Sequence, residues 1–211
     1  MRPIDMETWP RREIFDFYDG PDPFYSVSFR VDVTGIHRYA RARGLSFYMA
    51  LCWAVGQAVN RVENFRYVIR KGRVWLLDAR RVSFTDIRED THLFYMVTLP
   101  LQDDIDAFCR SAREKSRRQE AFVNLEEEGD DLIYLSCLPD VDLTGITTSR
   151  AVDSEDSIPR FTWGRFMDDG RGREVLTMTL EANHRLADGW HVGQFAKEMD
   201  AINVRLGLLA Q

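Results

Sequence analysis

The sequence predicts an α/β (α+β) domain in which helices cover a sheet, and two patterns near its end carry that prediction. Between residues 176 and 182 the apolar side chains occupy alternate positions, as in a strand with one buried face. After residue 188 they recur at helical spacing, as in an amphipathic helix. Strand-like and helix-like stretches also follow one another through the rest of the chain. A length of 211 residues suits a single domain, 1–211, with a substantial core.

The first half of the chain predicts two helices and five strands. A short helix is expected within residues 9–18, beginning near Pro10. Ser46 is a suitable N-cap for an apolar, buried helix from residue 47 to about residue 61. Lys71-Gly72 separates two strand-like runs and predicts a hairpin. The expected strands are 24–33, 65–70, 73–77, 82–87 and 93–99.

The second half predicts a further helix, a loop, two strands and a final helix. Residues 103 to about 122 have acidic side chains at the start and basic ones near the end, which suits the dipole of an amphipathic helix. The acidic run 126–131 is expected to be a solvated loop. An apolar strand at 132–139 ends at a proline, and the strand 176–182 precedes the last helix. That helix would pack through Val192, Phe195, Met199, Ile202 and Leu206.

Composition limits the class of protein. Hydrophobic residues make up 45% and charged residues 29%, which is typical of a globular chain. The net charge of -6 disfavours general nucleic-acid binding, although a few arginines could still hold an anionic ligand. Three cysteines without metal-binding spacing predict free thiols and no metal site. No signal-peptide pattern opens the chain and the apolar run 45–59 is too short for a bilayer, so we expect a soluble cytoplasmic protein with no membrane partner.

His184 is the candidate catalytic residue. If the pleat of the preceding strand persists, its ring continues the apolar face, beside the turn that Asp188-Gly189 predicts. An imidazole sheltered in this way can act as a general base, because the group ordinarily titrates near pH 6.5. A lone histidine at a strand end is more often a packed, hydrogen-bonded residue than a catalyst. The residues alone leave both interpretations open.

Four separate stretches resemble the chloramphenicol acetyltransferase family. Residues 184–191 read His-x-x-x-Asp-Gly-Trp-His, like the active-site signature of that family, whose core lipoyl acyltransferases and peptide-synthetase condensation domains share. Residues 11–13, 136–139 and 158–166 resemble its opening Arg-Arg/Lys-Glu segment, its Ser-x-x-Pro segment and one of its strands. The resemblance runs from about residue 9 to residue 206. It implies a two-layer sandwich with a mixed, largely antiparallel sheet covered by helices.

The resemblance also implies catalytic roles. His184 would remove a proton from a hydroxyl, whose oxygen then attacks the acetyl carbonyl of acetyl-CoA without an acyl-enzyme. Ser136 would stabilise the oxygen that becomes negative and would lie next to the cofactor. Asp188 would pair with Arg11 and hold the turn in place. Thr162 would help hold an active-site water and would contact the cofactor.

Binding residues follow from the same resemblance. Arg165 matches a basic position of the family near the nucleotide. A small-molecule alcohol would contact aromatic side chains at Tyr18, Phe24, Tyr25 and Phe94. Family members are homotrimers with active sites between subunits, so the same assembly is expected here.

Three departures concern the substrate more than the chemistry. Asn183 replaces the first histidine of the family's usual His-His pair, and the pleat sends it to the opposite face from His184. Asp140 stands where the family often has a tryptophan, and residues 21–24 form a more acidic loop. The sequence therefore predicts a CoA-dependent O-acetyltransferase, with antibiotic resistance through chloramphenicol as one of its possible roles. A thiol acceptor of the lipoyl type and a catalytically silent ligand-binding module are the alternatives.

Overall fold

The computed structural model describes residues 1–210. Over this range the helices are α1 Arg12–Phe17, α2 Thr34–Ala42, α3 Phe47–Arg61, α4 Ile105–Arg118 and α5 Gly189–Leu209. The strands are β1 Arg2–Pro3, β2 Phe24–Asp32, β3 Tyr67–Arg70, β4 Arg73–Leu76, β5 Arg81–Ile87, β6 Phe94–Leu99, β7 Leu132–Cys137, β8 Arg160–Trp163, β9 Met167–Asp168 and β10 Glu174–Asn183. Short 3-10 helices span Glu63–Arg66 and Leu125–Glu127.

One long sheet organises the chain. Its strands lie in the order β2-β10-β8-β7-β5-β6, and β9 pairs with β10 beside this path. The strand β7 runs parallel to both of its neighbours, whereas the other pairs are antiparallel. The predicted mixed, largely antiparallel sheet is therefore confirmed. A smaller sheet of β1, β4 and β3 lies apart from it.

The helices and one face of the long sheet form the main core. Met178 and Leu180 of β10 are fully buried, and so are Phe195 and Met199 of α5. These side chains belong to one contiguous cluster, which explains why the period of two and the helical period both predicted burial. Burying a side chain of this size stabilises the fold by roughly 1.5–3 kcal/mol.

Several predictions of caps, turns and packing faces are confirmed. In each of them the residues that determine the structure lie within the segment itself. The hydroxyl of Ser46 caps α3 by accepting from the backbone N–H of Met49. Lys71 and Gly72 both have positive φ angles, 53° and 71°, as the tight turn of the β3–β4 hairpin requires. The apolar side chains expected to pack the last helix are all buried in α5.

The helix α2 was not predicted, since its N-terminal cap comes from a distant residue. Val33 precedes the helix and its side chain makes no capping bond. Instead, the side-chain oxygen of Asn203 in α5 accepts from the backbone N–H groups of Gly35 and Ile36, at 2.7 and 3.1 Å. A Cβ at Gly35 would lie 1.9 Å from the Asn203 carbonyl oxygen, so the two helices meet where Gly35 allows it.

The prediction of a solvated acidic loop at 126–131 was wrong for most of its residues, because only Glu126 is exposed. Asp130 forms a two-point ion pair with Arg70 at 2.6 and 2.7 Å, and Asp131 forms one with Arg81 at 2.7 Å for both contacts. The ends of β3 and β5 bring these arginines to the loop. The carboxylates therefore fasten the loop to the two sheets.

The prediction that β10 buries one face was also incomplete. From residue 179 onward both faces are buried, because the segment 144–157 covers the polar side. Glu181 accepts hydrogen bonds from the backbone and hydroxyl of Thr148. The amide of Asn183 donates to the carbonyls of Ser154 and Asp156, both at 3.0 Å. Asn183 thus faces away from the His184 ring, as predicted.

Two further findings concern the described residues as a whole. No helix within residues 1–210 combines the length and the apolar composition that a bilayer span requires. All three cysteines are free thiols, with Cys52 and Cys109 buried and Cys137 partly so.

Candidate active site

The residues of the candidate signature form the turn that joins β10 to α5. The strand ends at Asn183, and the backbone N–H of His184 donates to the Pro23 carbonyl at 2.7 Å. Asp188 is the N-cap of α5, and its Oδ1 accepts from the backbone N–H of Trp190 at 3.0 Å. His184 therefore lies between a strand end and a capped helix start, two rigid elements that define its backbone position.

The Arg11 guanidinium binds three groups of this turn. Its Nη1 lies 2.6 Å from Oδ2 of Asp188, its Nη2 donates to the His184 carbonyl at 2.9 Å, and its Nε donates to the Arg185 carbonyl at 2.9 Å. The Arg11 side chain is only 9% exposed. Burial by itself would raise the pKa of the Asp188 carboxyl, but the hydrogen bond from Arg11 and the positive charge nearby lower it below its usual value. The pair is therefore ionised at neutral pH.

Arg185 forms a second connection between the turn and α1, which the sequence did not indicate. Its buried guanidinium lies 3.8 Å from the centre of the Phe15 ring and donates from Nε to the Phe15 carbonyl at 3.1 Å. Its Nη1 is 3.0 Å from Oδ1 of Asp19. No local pattern marks Arg185, because its partners lie about 170 positions earlier in the chain.

The His184 ring is enclosed by two tyrosines. Tyr18 stacks on it with a ring separation of 4.2 Å and an angle of 8°, and Tyr25 lies at 4.6 Å and 41°. The Nδ1 atom of His184 is buried and has no hydrogen-bond partner within residues 1–210. Nε2 is not buried in this way, so it is the ring nitrogen that a substrate can reach.

Tyr25, expected to line an acceptor pocket, packs beside the His184 ring. Its hydroxyl is buried, without a partner in the described part of the chain, and burial together with the charge of Asp188 raises its pKa. The hydroxyl therefore points into the protein next to the turn. Phe24 lies on the opposite face of β2, with the Arg150 guanidinium 3.6 Å above its ring.

Ser136 and Thr162 lie at a second place, on the polar face of the sheet. They are cross-strand neighbours on β7 and β8. The hydroxyl of Thr85 on β5 donates to the Ser136 hydroxyl at 3.3 Å. All three line a cavity of about 310 Å³ that Phe94 also borders. Thr85 was not predicted from the sequence, because only the strand order brings it to Ser136.

These two places do not meet within one chain. Ser136 pairs with Thr162, and Thr162 pairs with Thr179 of β10. His184 lies five positions beyond Thr179. With ~3.3 Å per residue and ~4.8 Å between strands, the Cα atoms of Ser136 and His184 are about 15–20 Å apart. The predicted substrate residues divide accordingly, with Tyr18 beside His184 and Phe94 beside Ser136.

Arg165 lies at a third place, directly after β8. It is exposed, and its backbone N–H donates to the Val141 carbonyl at 2.7 Å. It borders a small, mainly apolar pocket of about 130 Å³ on the helix side of β7 and β8. The pocket is lined by Phe47, Tyr48, Cys137, Pro139, Trp163, Gly164, Arg165 and Phe166. Asp140, the departure from the family's tryptophan, is exposed in the turn just after Pro139.

The charged groups of the described residues show no constellation suited to a metal ion. No group of three or more His, Cys, Asp or Glu side chains within residues 1–210 has the arrangement that metal binding needs. Asp188 and His191 lie close together because Asp188 is the N-cap of α5 and His191 is in its first turn.

Known structures place this fold among acyltransferases. The solved dihydrolipoamide acetyltransferase of Azotobacter vinelandii superposes with a TM-score of 0.62 at 14% identity, over 92% of this chain and 86% of that one. At this identity the likeness concerns the fold alone. A solved chloramphenicol acetyltransferase superposes with a TM-score of 0.85 at 28% identity, over 95% of this chain and 99% of that one.

Sequence comparison narrows the class to one family. A sequence model of the family described as chloramphenicol acetyltransferase matches residues 1–200. The chloramphenicol acetyltransferase of Clostridium perfringens is 26% identical over 200 residues, which cover 92% of this chain and 91% of that protein. The chain belongs to the chloramphenicol acetyltransferase family and is an acyltransferase.

Proposed function

We propose that this protein transfers the acetyl group of acetyl-CoA directly to a hydroxyl of a small molecule. The observation that carries the proposal is the His184 ring, which exposes Nε2 while Arg11 and Asp188 fix the backbone beneath it. A base held in this way is suited to proton transfer, and the family is one of acyltransferases. Chloramphenicol is the first acceptor to test, because the relatives carry its name.

In the proposed reaction, His184 moves the proton and Ser136 stabilises the negative oxygen. Nε2 of His184 takes the proton of the acceptor hydroxyl as its oxygen bonds to the acetyl carbon. Ser136 donates a hydrogen bond to the carbonyl oxygen, which becomes negative as the fourth bond forms. The carbon–sulfur bond then breaks, and His184 returns the proton to the departing thiolate. The products are the acetyl ester and free CoA thiol.

The residues of this reaction meet only if subunits combine. His184 and Ser136 are about 15–20 Å apart in one chain, too far to act on the same atom. Large aromatic side chains are exposed beside both of them, Phe17 and Trp190 near His184 and Phe94 and Phe122 near the Ser136 cavity. Exposed apolar surface of this kind marks interfaces. We therefore infer that subunits combine so that His184 of one faces the Ser136 cavity of its neighbour, and the resemblance to the family implies that this assembly is a homotrimer.

Acetyl-CoA would place its acetyl group in the cavity on the polar face, which Ser136 and Thr162 line. Arg165 borders the small apolar pocket on the opposite face of the sheet, where its charge suits a phosphate of CoA. Thr162 lies next to Ser136 on the polar face, where a hydroxyl can hold a water molecule. An acetyl donor and free thiols both fit a cytoplasmic location.

An acetyl-transfer assay tests the chemistry. Release of CoA thiol from acetyl-CoA is followed with chloramphenicol and a panel of other alcohols, with dihydrolipoamide as the thiol acceptor. Turnover that requires a hydroxyl and yields the acetyl ester supports the proposal. Turnover with dihydrolipoamide and with none of the alcohols would show that the protein acetylates thiols. Binding of acetyl-CoA without turnover on any acceptor overturns the enzymatic role.

A subunit-mixing experiment tests the shared site. Neither His184→Ala nor Ser136→Ala homotrimers can form an intact site. When the two variants are unfolded together in equal amounts and refolded, about one quarter of the sites should combine an intact His184 with an intact Ser136. Recovery of about one quarter of wild-type activity supports the shared site. Activity no higher than that of the separate variants overturns it.

A further inference from the structure

His191 makes an unusual contact at the start of α5. Its Nδ1 atom lies 3.1 Å from the backbone nitrogen of Asp188 and 2.9 Å from the Oδ1 atom of the same residue. The third position of a helix is where glutamate or glutamine reaches back to the N-cap backbone in a capping box. A histidine fills this position here, and its side chain is only 14% exposed.

The protonation state of the ring decides which of the two contacts is a hydrogen bond. An unprotonated Nδ1 accepts the backbone N–H of Asp188, which has no other acceptor within residues 1–210. A protonated Nδ1 would donate to Oδ1 and leave that backbone N–H without a partner. Arg11 already neutralises the Asp188 carboxylate at 2.6 Å, so a second cation is not required.

We propose that His191 is a positioning residue, whose neutral ring with its proton on Nε2 holds the Asp188 backbone and thereby the His184 turn. Asp188 connects the contacts, because its backbone binds His191 while its carboxylate binds Arg11. Arg11 in turn binds the His184 carbonyl. The significance for acetyl transfer rests on the proposed function, whereas the hydrogen bond itself does not.

The surroundings favour the neutral ring. His191 borders a cavity of about 580 Å³ behind the turn, where the charged groups are Arg2, Asp5, Arg11 and Glu63. Burial lowers the pKa of His191, and the charge of Arg11 acts in the same direction, against the attraction of Asp188. Protonation on acidification would therefore break the bond to the backbone.

Nitrogen-15 NMR of the whole protein tests the hydrogen bond without an activity measurement. The His191 signals are identified as those lost in His191→Gln. At neutral pH, we expect the Nδ1 shift of an unprotonated acceptor nitrogen and a proton on Nε2. A proton on Nδ1 at neutral pH would overturn the proposal, even if the enzyme has the proposed activity.

Two variants test the positioning role. His191→Ala removes the acceptor and should lower kcat about 10- to 100-fold with little change in KM, since a small displacement of a catalytic group has effects of this size. His191→Gln supplies a capping-box oxygen and should restore kcat to within about threefold of wild type. Between pH 7 and 5 the melting temperature of the wild type should fall more than that of the Gln variant. Equal turnover in the Ala variant, or failure of Gln to restore it, would overturn the role.

Discussion

The Arg11 guanidinium and the Asp188 carboxylate, 177 positions apart in the chain, meet at 2.6 Å at the start of α5. The same guanidinium binds the carbonyls of His184 and Arg185. One buried side chain thus fixes both the helix cap and the backbone of the candidate base. The arrangement predicts that damage to this ion pair affects stability and turnover together.

Replacing Arg11 with alanine should reduce both the stability of the fold and the rate of turnover. Removing one partner of a fully buried pair costs about 3–5 kcal/mol, and the 28% exposure of the Asp188 side chain places this pair at the lower end of that range. We expect the free energy of unfolding to fall by about this amount in chemical denaturation, and kcat to fall at least about tenfold. Arg11→Lys keeps the charge but not the planar set of donors, and should recover part of the stability and little of the rate. Normal stability and activity in the alanine variant would contradict the bracing role.

Acid should weaken the protein through Asp188. Its pKa is lowered in the folded state, chiefly by Arg11 against the opposing effect of burial, so the unfolded chain binds the proton more readily. The contribution to stability is therefore full above the unfolded pKa of about 3.9 and is lost as the pH falls through the lower folded value. The difference in melting temperature between the wild type and Asp188→Asn should stay constant from pH 7 to about pH 5 and should shrink as the pH falls below about 4. A difference that stays constant well below pH 4 would contradict the prediction.

Removing the His184 ring should abolish acetyl transfer without unfolding the protein. A general base contributes roughly 10²–10⁴ to the rate, so His184→Ala should lose turnover by at least about a hundredfold. Its affinity for acetyl-CoA, measured by calorimetry, should remain close to that of the wild type. His92→Asn is the matched control, because His92 is an exposed histidine with a positive φ angle that asparagine tolerates.

The hydroxyl pair Thr85–Ser136 predicts a graded effect. Ser136→Ala should lower kcat by about 10²–10³, the usual loss for one oxyanion donor. Thr85 donates to the Ser136 oxygen at 3.3 Å and so leaves the Ser136 proton free to point elsewhere. Thr85→Val should therefore lower kcat by about tenfold or less, with KM nearly unchanged. A larger loss of kcat in Thr85→Val than in Ser136→Ala would contradict the assignment of Ser136 as the direct donor and Thr85 as its support.

Gly164 should not tolerate a side chain. A Cβ there would lie 2.5 Å from the Val141 carbonyl oxygen and 2.6 Å from the Leu143 Cβ, in the segment that follows Pro139. Gly164→Ala should destabilise the fold by about 1–3 kcal/mol and weaken acetyl-CoA binding at the adjacent pocket. Gly193→Ala is the control, since nothing lies within 4 Å of a Cβ on this exposed helical glycine. That variant should be neutral or more stable by up to about 1 kcal/mol.

The features that could be predicted from sequence alone are those that nearby residues determine. Ser46 caps the helix that it precedes, Lys71-Gly72 forms a turn by its own backbone preference, and the period of two in β10 follows from the pleat. The order of the four motifs also predicted the family, which the comparisons confirm. The cap, the turn and the strand period depend on residues only a few positions away, whereas the family was predicted from motifs spread along the whole chain.

Only the tertiary structure decided the features whose partners are distant. Asn203 of α5 caps α2. Arg185 binds the Phe15 carbonyl, 170 positions earlier in the chain. Asp130 pairs with Arg70 because the two sheets lie next to each other. The strand order also separated Ser136 from His184, which no spacing along the chain could show. The sequence by itself determined most of the helices and strands and the chemistry available, because propensity and periodicity act locally. Which of those groups meet depended on the packing of elements far apart in the chain.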